Sequence, residues 1–124
     1  MMHNRVPILK VDNFWLVTIE ETLHDQSVIQ FKEDLLYNIT RDAGAGLVID
    51  ISALEVVDSF VTRVLMEIGR LAGLLGLPFV LTGINPAVAI TLTEMGLDLQ
   101  GMATALNLQK GLDMLKGRAR GEPK

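Results

Sequence analysis

The sequence contains no cysteine, and this absence removes several kinds of chemistry at once. Disulfide bonds, thiolate nucleophiles and thiolate metal sites are all excluded. Histidine is scarce as well, since His3 and His24 are the only two in 124 residues. Because these two do not fall at the spacing of paired helical ligands, the sequence favours neither a metal site nor any other cofactor.

Basic residues are too few to suggest a surface for nucleic acid. Lysine and arginine number 11 against 15 acidic residues, which leaves a formal net charge of −4. Proteins that bind phosphate backbones usually present a basic face instead. The 49% of hydrophobic residues is enough for one globular domain with its own core, so we expect a folded protein of a single domain.

No segment has the pattern of a signal peptide or a membrane span. Residues 1–10 lack an apolar core, and the longest uncharged stretch, residues 71–93, is interrupted by glycine and proline. A helix in lipid tolerates few such interruptions, because freed backbone groups find no water there. We therefore interpret residues 71–93 as a helix end, a buried strand, a loop and a helix start, and we expect a cytoplasmic protein.

Short apolar runs predict the strands of the fold. Two runs rich in β-branched and aromatic residues flank Asp12-Asn13, a pair that tolerates the positive φ angles of a hairpin turn. Residues 47–51 and 78–82 are nearly continuous apolar runs, typical of strands buried on both faces. Residues 102–106, MATAL, are expected to form a short edge strand.

Four helices are predicted from apolar residues spaced three and four apart. The first begins near Asp25, the third is capped by Asn85, and the fourth is capped by Asn107 and ends at Gly117. In the second helix one face is predicted to point inward: Val61, Val64, Leu65, Ile68, Leu71, Ala72 and Leu75. The opposite stripe is predicted to be solvated: Arg63, Glu67 and Arg70.

The order of these elements predicts an α/β fold. We expect a mixed, mostly parallel sheet of four or five strands with about four helices, because strands alternate with helices along the chain. The domain is predicted to cover residues 1–117, and residues 118–124 are predicted to be a disordered tail. In such sheets, sites form where the carboxyl ends of strands meet the amino ends of helices.

Three loops fall at that edge of the predicted sheet: His24-Asp25, Asp58-Ser59 and residues 83–86. The Asp58-Ser59 pair has three interpretations. It can cap a helix, since aspartate and serine are preferred there, and it can present a serine for phosphorylation. It can also form a small hydrolase site in which Ser59 is the nucleophile, His24 the base and an aspartate, Asp25 or Asp58, orients the base. However, a nucleophile elbow needs small residues two positions either side of the serine, where this chain has Val57 and Val61.

Several longer motifs resemble the STAS domain, the fold of bacterial anti-sigma-factor antagonists. TIEETLHDQSV is similar to the family's second strand and first helix start. VIDISALEVVDSFVTRVL resembles the family's phosphorylation segment, and VLTGINPAVAITLTEMGL resembles the strand and helix that follow. More narrowly, PILKV, VDSF and TALNLQKGLDMLK are similar to STAS proteins of the RsbS type, which belong to the stressosome.

The resemblance implies a non-enzymatic scaffold that is phosphorylated on Ser59, with Asp58 as the helix cap and local charge beside it. The implied partners are an RsbT-like serine kinase, an RsbR-like STAS paralogue and an RsbX-like phosphatase, in homo- and hetero-oligomers without nucleic acid or membrane. Simple antagonists of the family have a small residue after the serine, whereas this chain has Ser59-Phe60-Val61. A simple anti-sigma-factor antagonist remains the alternative, and the chain is not expected to sense a signal by itself.

Overall fold

The structure is a computed structural model that describes residues 6–20, 25–96, 103–119 and 121. Strands and helices alternate in it as predicted, and their bounds are as follows: β1 Ile8–Val11, β2 Phe14–Thr18, α1 Asp25–Arg41, β3 Gly46–Asp50, α2 Ser59–Leu74, β4 Phe79–Thr82, α3 Pro86–Glu94, β5 Ala103–Ala105 and α4 Leu108–Ala119. The mixed five-stranded sheet and the four helices confirm the predicted fold class.

The sheet has its strands in chain order, and only the first pair is antiparallel. That pair is a hairpin whose turn residues, Asp12 and Asn13, have φ angles of 51° and 70°. Strands β2, β3, β4 and β5 are parallel to one another. Helices α1, α2 and α3 connect these parallel strands, and each connection moves one strand further in the same direction. Because such crossovers are right-handed, the three helices lie on one face of the sheet. The last helix, α4, packs on the opposite face against β3, β4 and β5.

Side chains along the buried strands point alternately to the two faces of the sheet, and this divides the core into two layers. In β3, Leu47 and Ile49 belong to the larger layer under α1, α2 and α3, whereas Val48 belongs to the smaller layer with Leu115 of α4. All five residues of β3 are buried, as expected for a strand covered on both sides. The apolar residues of α1 that are spaced three and four apart are buried in the larger layer: Val28, Phe31, Leu35 and Ile39.

One prediction about α2 needs correction. Leu75, placed on the inward face by its spacing, is 51% exposed, because the helix ends at Leu74 and the chain then turns at Gly76, where φ is +71°. Glu67, on the predicted solvated stripe, has a side chain that is 42% exposed, and it also accepts a hydrogen bond from Lys32 Nζ of α1 at 3.0 Å. The two helices pack side by side, so a residue on the edge of the stripe contacts both its neighbour and water.

The predicted end of α4 at Gly117 is also wrong, because the helix continues to Ala119. Glycine favours a helix end only when the chain needs a positive φ angle, and here it is tolerated in the last turn. The rest of the predicted tail lies outside the described residues except for Gly121. Among the described residues no helix is both long and apolar enough to cross a membrane, and the uncharged stretch 71–93 is divided among α2, β4 and α3.

Candidate functional site

The Asp58-Ser59 pair lies at the start of α2, on the edge formed by the carboxyl ends of the parallel strands. Asp58 occupies the N-cap position with extended backbone angles, φ −100° and ψ 178°. Its Oδ1 accepts a hydrogen bond from the Val61 amide at 2.8 Å, and its carbonyl accepts from the amide and hydroxyl of Thr62 at 3.1 and 2.9 Å. The aspartate therefore fixes the direction in which α2 begins.

Ser59 is the first residue of α2, and its side chain is exposed. Within the described residues its hydroxyl has no hydrogen-bond partner, and the amides of Ser59 and Phe60 also have none. The positive end of a helix with free amides is an environment that accommodates a phosphate. The site thus presents a hydroxyl that an incoming protein can reach without disturbing the core.

The hydrolase alternative gains no support from this geometry. An activated serine donates its hydroxyl hydrogen to a base, and Ser59 donates to no group of the described residues. His24, the base in that alternative, lies outside the described residues, as does the side chain of Asp25. Val57 is buried and Val61 is half-buried, so the bulky flanking residues are part of the packing and leave no open elbow.

Residues 51–58, which we name the β3–α2 segment, carry the chain from the sheet to Ser59. The segment is anchored at its start by the buried carboxylate of Asp50, the last residue of β3. One oxygen of Asp50 accepts from the amide and hydroxyl of Ser52, at 3.0 and 2.5 Å, and the other accepts from the Thr82 hydroxyl of β4 at 2.8 Å. These bonds satisfy a carboxylate that would otherwise be costly to bury.

The β4–α3 loop, residues 83–85, lies beside the β3–α2 segment and holds it at a second place. Asn85 is the N-cap of α3, where its Oδ1 accepts from the Val88 amide at 2.8 Å. Its Nδ2 donates to the Leu54 carbonyl at 3.0 Å. Two of the three loops predicted at this edge of the sheet therefore meet, whereas His24 of the third loop lies outside the described residues.

Sequence reasoning missed the Asp50, Ser52 and Thr82 cluster and the second bond of Asn85. A signal for the first was present, because Asp50 is the only charged residue in the apolar run 47–51. Its partners could not be named, since they depend on the register of β3 and β4, which places Asp50 opposite Thr82. The bond of Asn85 to Leu54 has no sequence signal, because capping alone explains an asparagine before proline.

A second charged cluster, formed by Asp42 and Lys10, lies at the opposite edge of the sheet, and in it the pKa of Asp42 is shifted. The carboxylate of Asp42, between α1 and β3, accepts hydrogen bonds from Lys10 Nζ and from the Gly44 amide. Both favour the ionised form, and the bond from Lys10 contributes most to holding the pKa of Asp42 below its usual value. This cluster stabilises the turn before β3 and has no part in the site at Ser59.

Comparison with known proteins defines the class. The sequence model of the STAS-domain family matches residues 5–110 of this chain. The chain therefore belongs to the STAS-domain family, as predicted. A curated relative, the RsbT co-antagonist protein RsbRA of Bacillus subtilis, is 28% identical over 107 residues. That match covers 86% of this chain but only 39% of RsbRA, so this chain spans less than half the length of that relative.

Two solved structures are much more similar. A serine-to-glutamate variant of RsbS from Moorella thermoacetica is 83% identical, with a TM-score of 0.89 over 94% of this chain and 99% of that chain. A chain of a structure describing the molecular architecture of the stressosome is 85% identical, with a TM-score of 0.84 over 92% of this chain and 99% of that chain. These likenesses confirm the predicted RsbS type.

Proposed function

We propose that this chain is a non-catalytic scaffold subunit of a stressosome, which holds a switch serine kinase and releases it when Ser59 is phosphorylated. Identities of 83% and 85% to RsbS and to a stressosome chain support the scaffold role. The observation that carries the switch is the exposed hydroxyl of Ser59 at the first position of α2, which has no partner within the described part of the chain. The kinase is expected to be of the RsbT type.

Phosphorylation would change the charge of this surface with little change in the fold. A phosphate adds about −1.5 to −2 charges at neutral pH. The free amides at the start of α2 and the exposed guanidinium of Arg63, one turn further along the helix, stabilise that charge. The carboxylate of Asp58 opposes it, because the two groups are adjacent and of the same sign. The core beneath, at Val57 and Val64, is not touched.

Release of the kinase follows from desolvation of that phosphate. The surface near Ser59 includes an exposed apolar residue, since Val56 is 80% exposed three residues before it. A partner that covers Val56 and Ser59 in the unmodified state would have to strip water from a dianion in the phosphorylated state. The amides and Arg63 compensate this charge only in part, and burying the remainder costs more than a typical interface contact contributes, so the phosphorylated surface loses its partner.

The remaining partners are proposed on the same basis. An RsbR-like STAS paralogue would co-assemble with this chain, and an RsbX-like phosphatase would remove the phosphate from Ser59. Such an exposed phosphoserine at a helix start is open to both kinase and phosphatase. We place the assembly in the cytoplasm, where a kinase has ATP.

Sizing by light scattering tests the scaffold role against the simple-antagonist alternative. Mixed with an RsbR-like paralogue, this chain should elute in a megadalton-scale particle that contains both proteins, because closed symmetric assemblies form when each subunit presents repeated contact surfaces. The chain without the paralogue is the control for self-assembly. A one-to-one complex with an anti-sigma kinase, and no large particle with the paralogue, would contradict the scaffold role.

A further inference from the structure

The β4–α3 loop contacts the β3–α2 segment at two separate points. Gly83 lies against its start, where a Cβ added to the glycine would be 2.7 Å from the Ser52 Cβ and 2.8 Å from the Ser52 nitrogen. Asn85 is bonded to its middle, through Nδ2 and the Leu54 carbonyl at 3.0 Å. The loop therefore limits the space beside Ser52. The bond from Asn85 to Leu54, which we call the tether, holds the segment that leads to Ser59.

The tether is the last polar anchor before the helix cap. The Leu54 amide donates to the Ile51 carbonyl at 3.0 Å, which closes a turn at the start of the segment. Between Leu54 and Asp58, no backbone hydrogen bond is present in the described residues, and only the buried side chain of Val57 holds this part to the core. Without the bond from Asn85, the Leu54 carbonyl would lose its partner, and the Leu54 end of this path would be held by the turn bond to Ile51 and by the buried side chains of Leu54 and Val57.

We infer that Asn85 is a positioning residue for the phosphorylation of Ser59. Its amide holds the Leu54 carbonyl and thereby the backbone conformation that presents Ser59 to the kinase, while its oxygen caps α3. The inference rests on the proposed function and assigns Asn85 a role that acts through the Leu54 carbonyl. A segment that is free to move presents the competent conformation only part of the time, and the apparent affinity falls by that fraction.

The substitution Asn85→Asp separates the two roles of this side chain. Aspartate has the same shape and caps a helix as well as asparagine does, so the bond from the Val88 amide should persist. It cannot donate to the Leu54 carbonyl, and the oxygen that replaces Nδ2 would face that carbonyl instead. We expect the KM for phosphorylation of Ser59 by an RsbT-like kinase to rise about five- to tenfold with kcat unchanged, the factor that corresponds to one lost hydrogen bond.

The chain offers a matched control in Asn107, the residue before α4. Its Oδ1 accepts from the Lys110 amide at 2.9 Å, as Asn85 does at α3, and its amide nitrogen donates to no group in the described part of the chain. Asn107→Asp therefore introduces the same charge at a cap without removing a tether. It should leave both KM and kcat at the wild-type values.

Hydrogen exchange gives a readout that needs no kinase. The Leu54 amide, which donates to the Ile51 carbonyl, should exchange about five- to tenfold faster in N85D than in the wild type, while amides of α3 keep their protection because the cap remains. An unchanged KM with unchanged exchange would overturn the inference, and so would faster exchange throughout α3, which would mean a lost cap. A wild type that takes up no phosphate would contradict the proposed function, and the exchange rate of the Leu54 amide would then decide on the tether alone.

Discussion

A Ser59→Ala protein incubated with an RsbT-like kinase and ATP should keep its unmodified mass, whereas the wild type should gain one phosphate. The substitution removes the only atom at this helix start that can accept the phosphoryl group. Neighbouring hydroxyls are engaged, because Thr62 is buried and donates to the Asp58 carbonyl, and Ser52 donates to Asp50. Intact-mass spectrometry over a time course measures the loss, which we expect to be complete.

The control for this result is Ser27→Ala, which removes a serine hydroxyl from the first turns of α1. It should be phosphorylated at the wild-type rate, because Ser27 has no place at the start of α2. A Ser59→Ala protein that still gains one phosphate would place the acceptor elsewhere in the chain. Loss of phosphorylation in both variants would point to a damaged fold rather than to a missing acceptor.

The second large effect is expected from Gly83→Ala, which should lower the free energy of unfolding by about 2–4 kcal/mol. Gly83 has a φ angle of +77°, a conformation that side chains disfavour. In addition, the new Cβ would meet the backbone nitrogen and the Cβ of Ser52 at distances that force the β3–α2 segment to move. Urea unfolding followed by the fluorescence of Trp15, the single tryptophan, measures the change.

Gly76→Ala is the matched control, because it separates the backbone conformation from the contact with Ser52. Gly76 follows α2 with a φ angle of +71°, and an added Cβ would meet nothing within 4 Å. Its substitution should therefore lower the free energy of unfolding only through the disfavoured backbone conformation, by about 1–2 kcal/mol. Equal losses for the two variants would contradict the close packing of the β4–α3 loop against the β3–α2 segment.

Much of the fold could be predicted because the local sequence patterns and the order of the elements favour the same structure. The turn at Asp12-Asn13, the buried strand at 47–51 and the proline after Asn85 each have a local physical cause, and the structure confirms them. The predictions that failed concern where helices stop. Leu75 is exposed because α2 ends at Leu74, and α4 continues past Gly117 to Ala119.

For the site, the sequence was sufficient to identify Asp58 and Ser59 as a helix start at the functional edge of the sheet. It was not sufficient to show what holds that start in place. The supports come from other strands and loops, namely Thr82 and Asn85, which are more than twenty residues away along the chain. A hydrogen bond over such a separation follows from strand register, and register cannot be derived from residue types alone.

The most direct test of the switch is the fate of a bound kinase when ATP is added. A complex of this chain, an RsbR-like paralogue and an RsbT-like kinase should be sized by gel filtration with light scattering, before and after ATP. With wild-type chain the kinase should leave the large particle as Ser59 becomes phosphorylated, and with Ser59→Ala it should remain bound under the same conditions. A kinase that stays on the fully phosphorylated wild type, or that leaves both particles equally, would contradict release through Ser59.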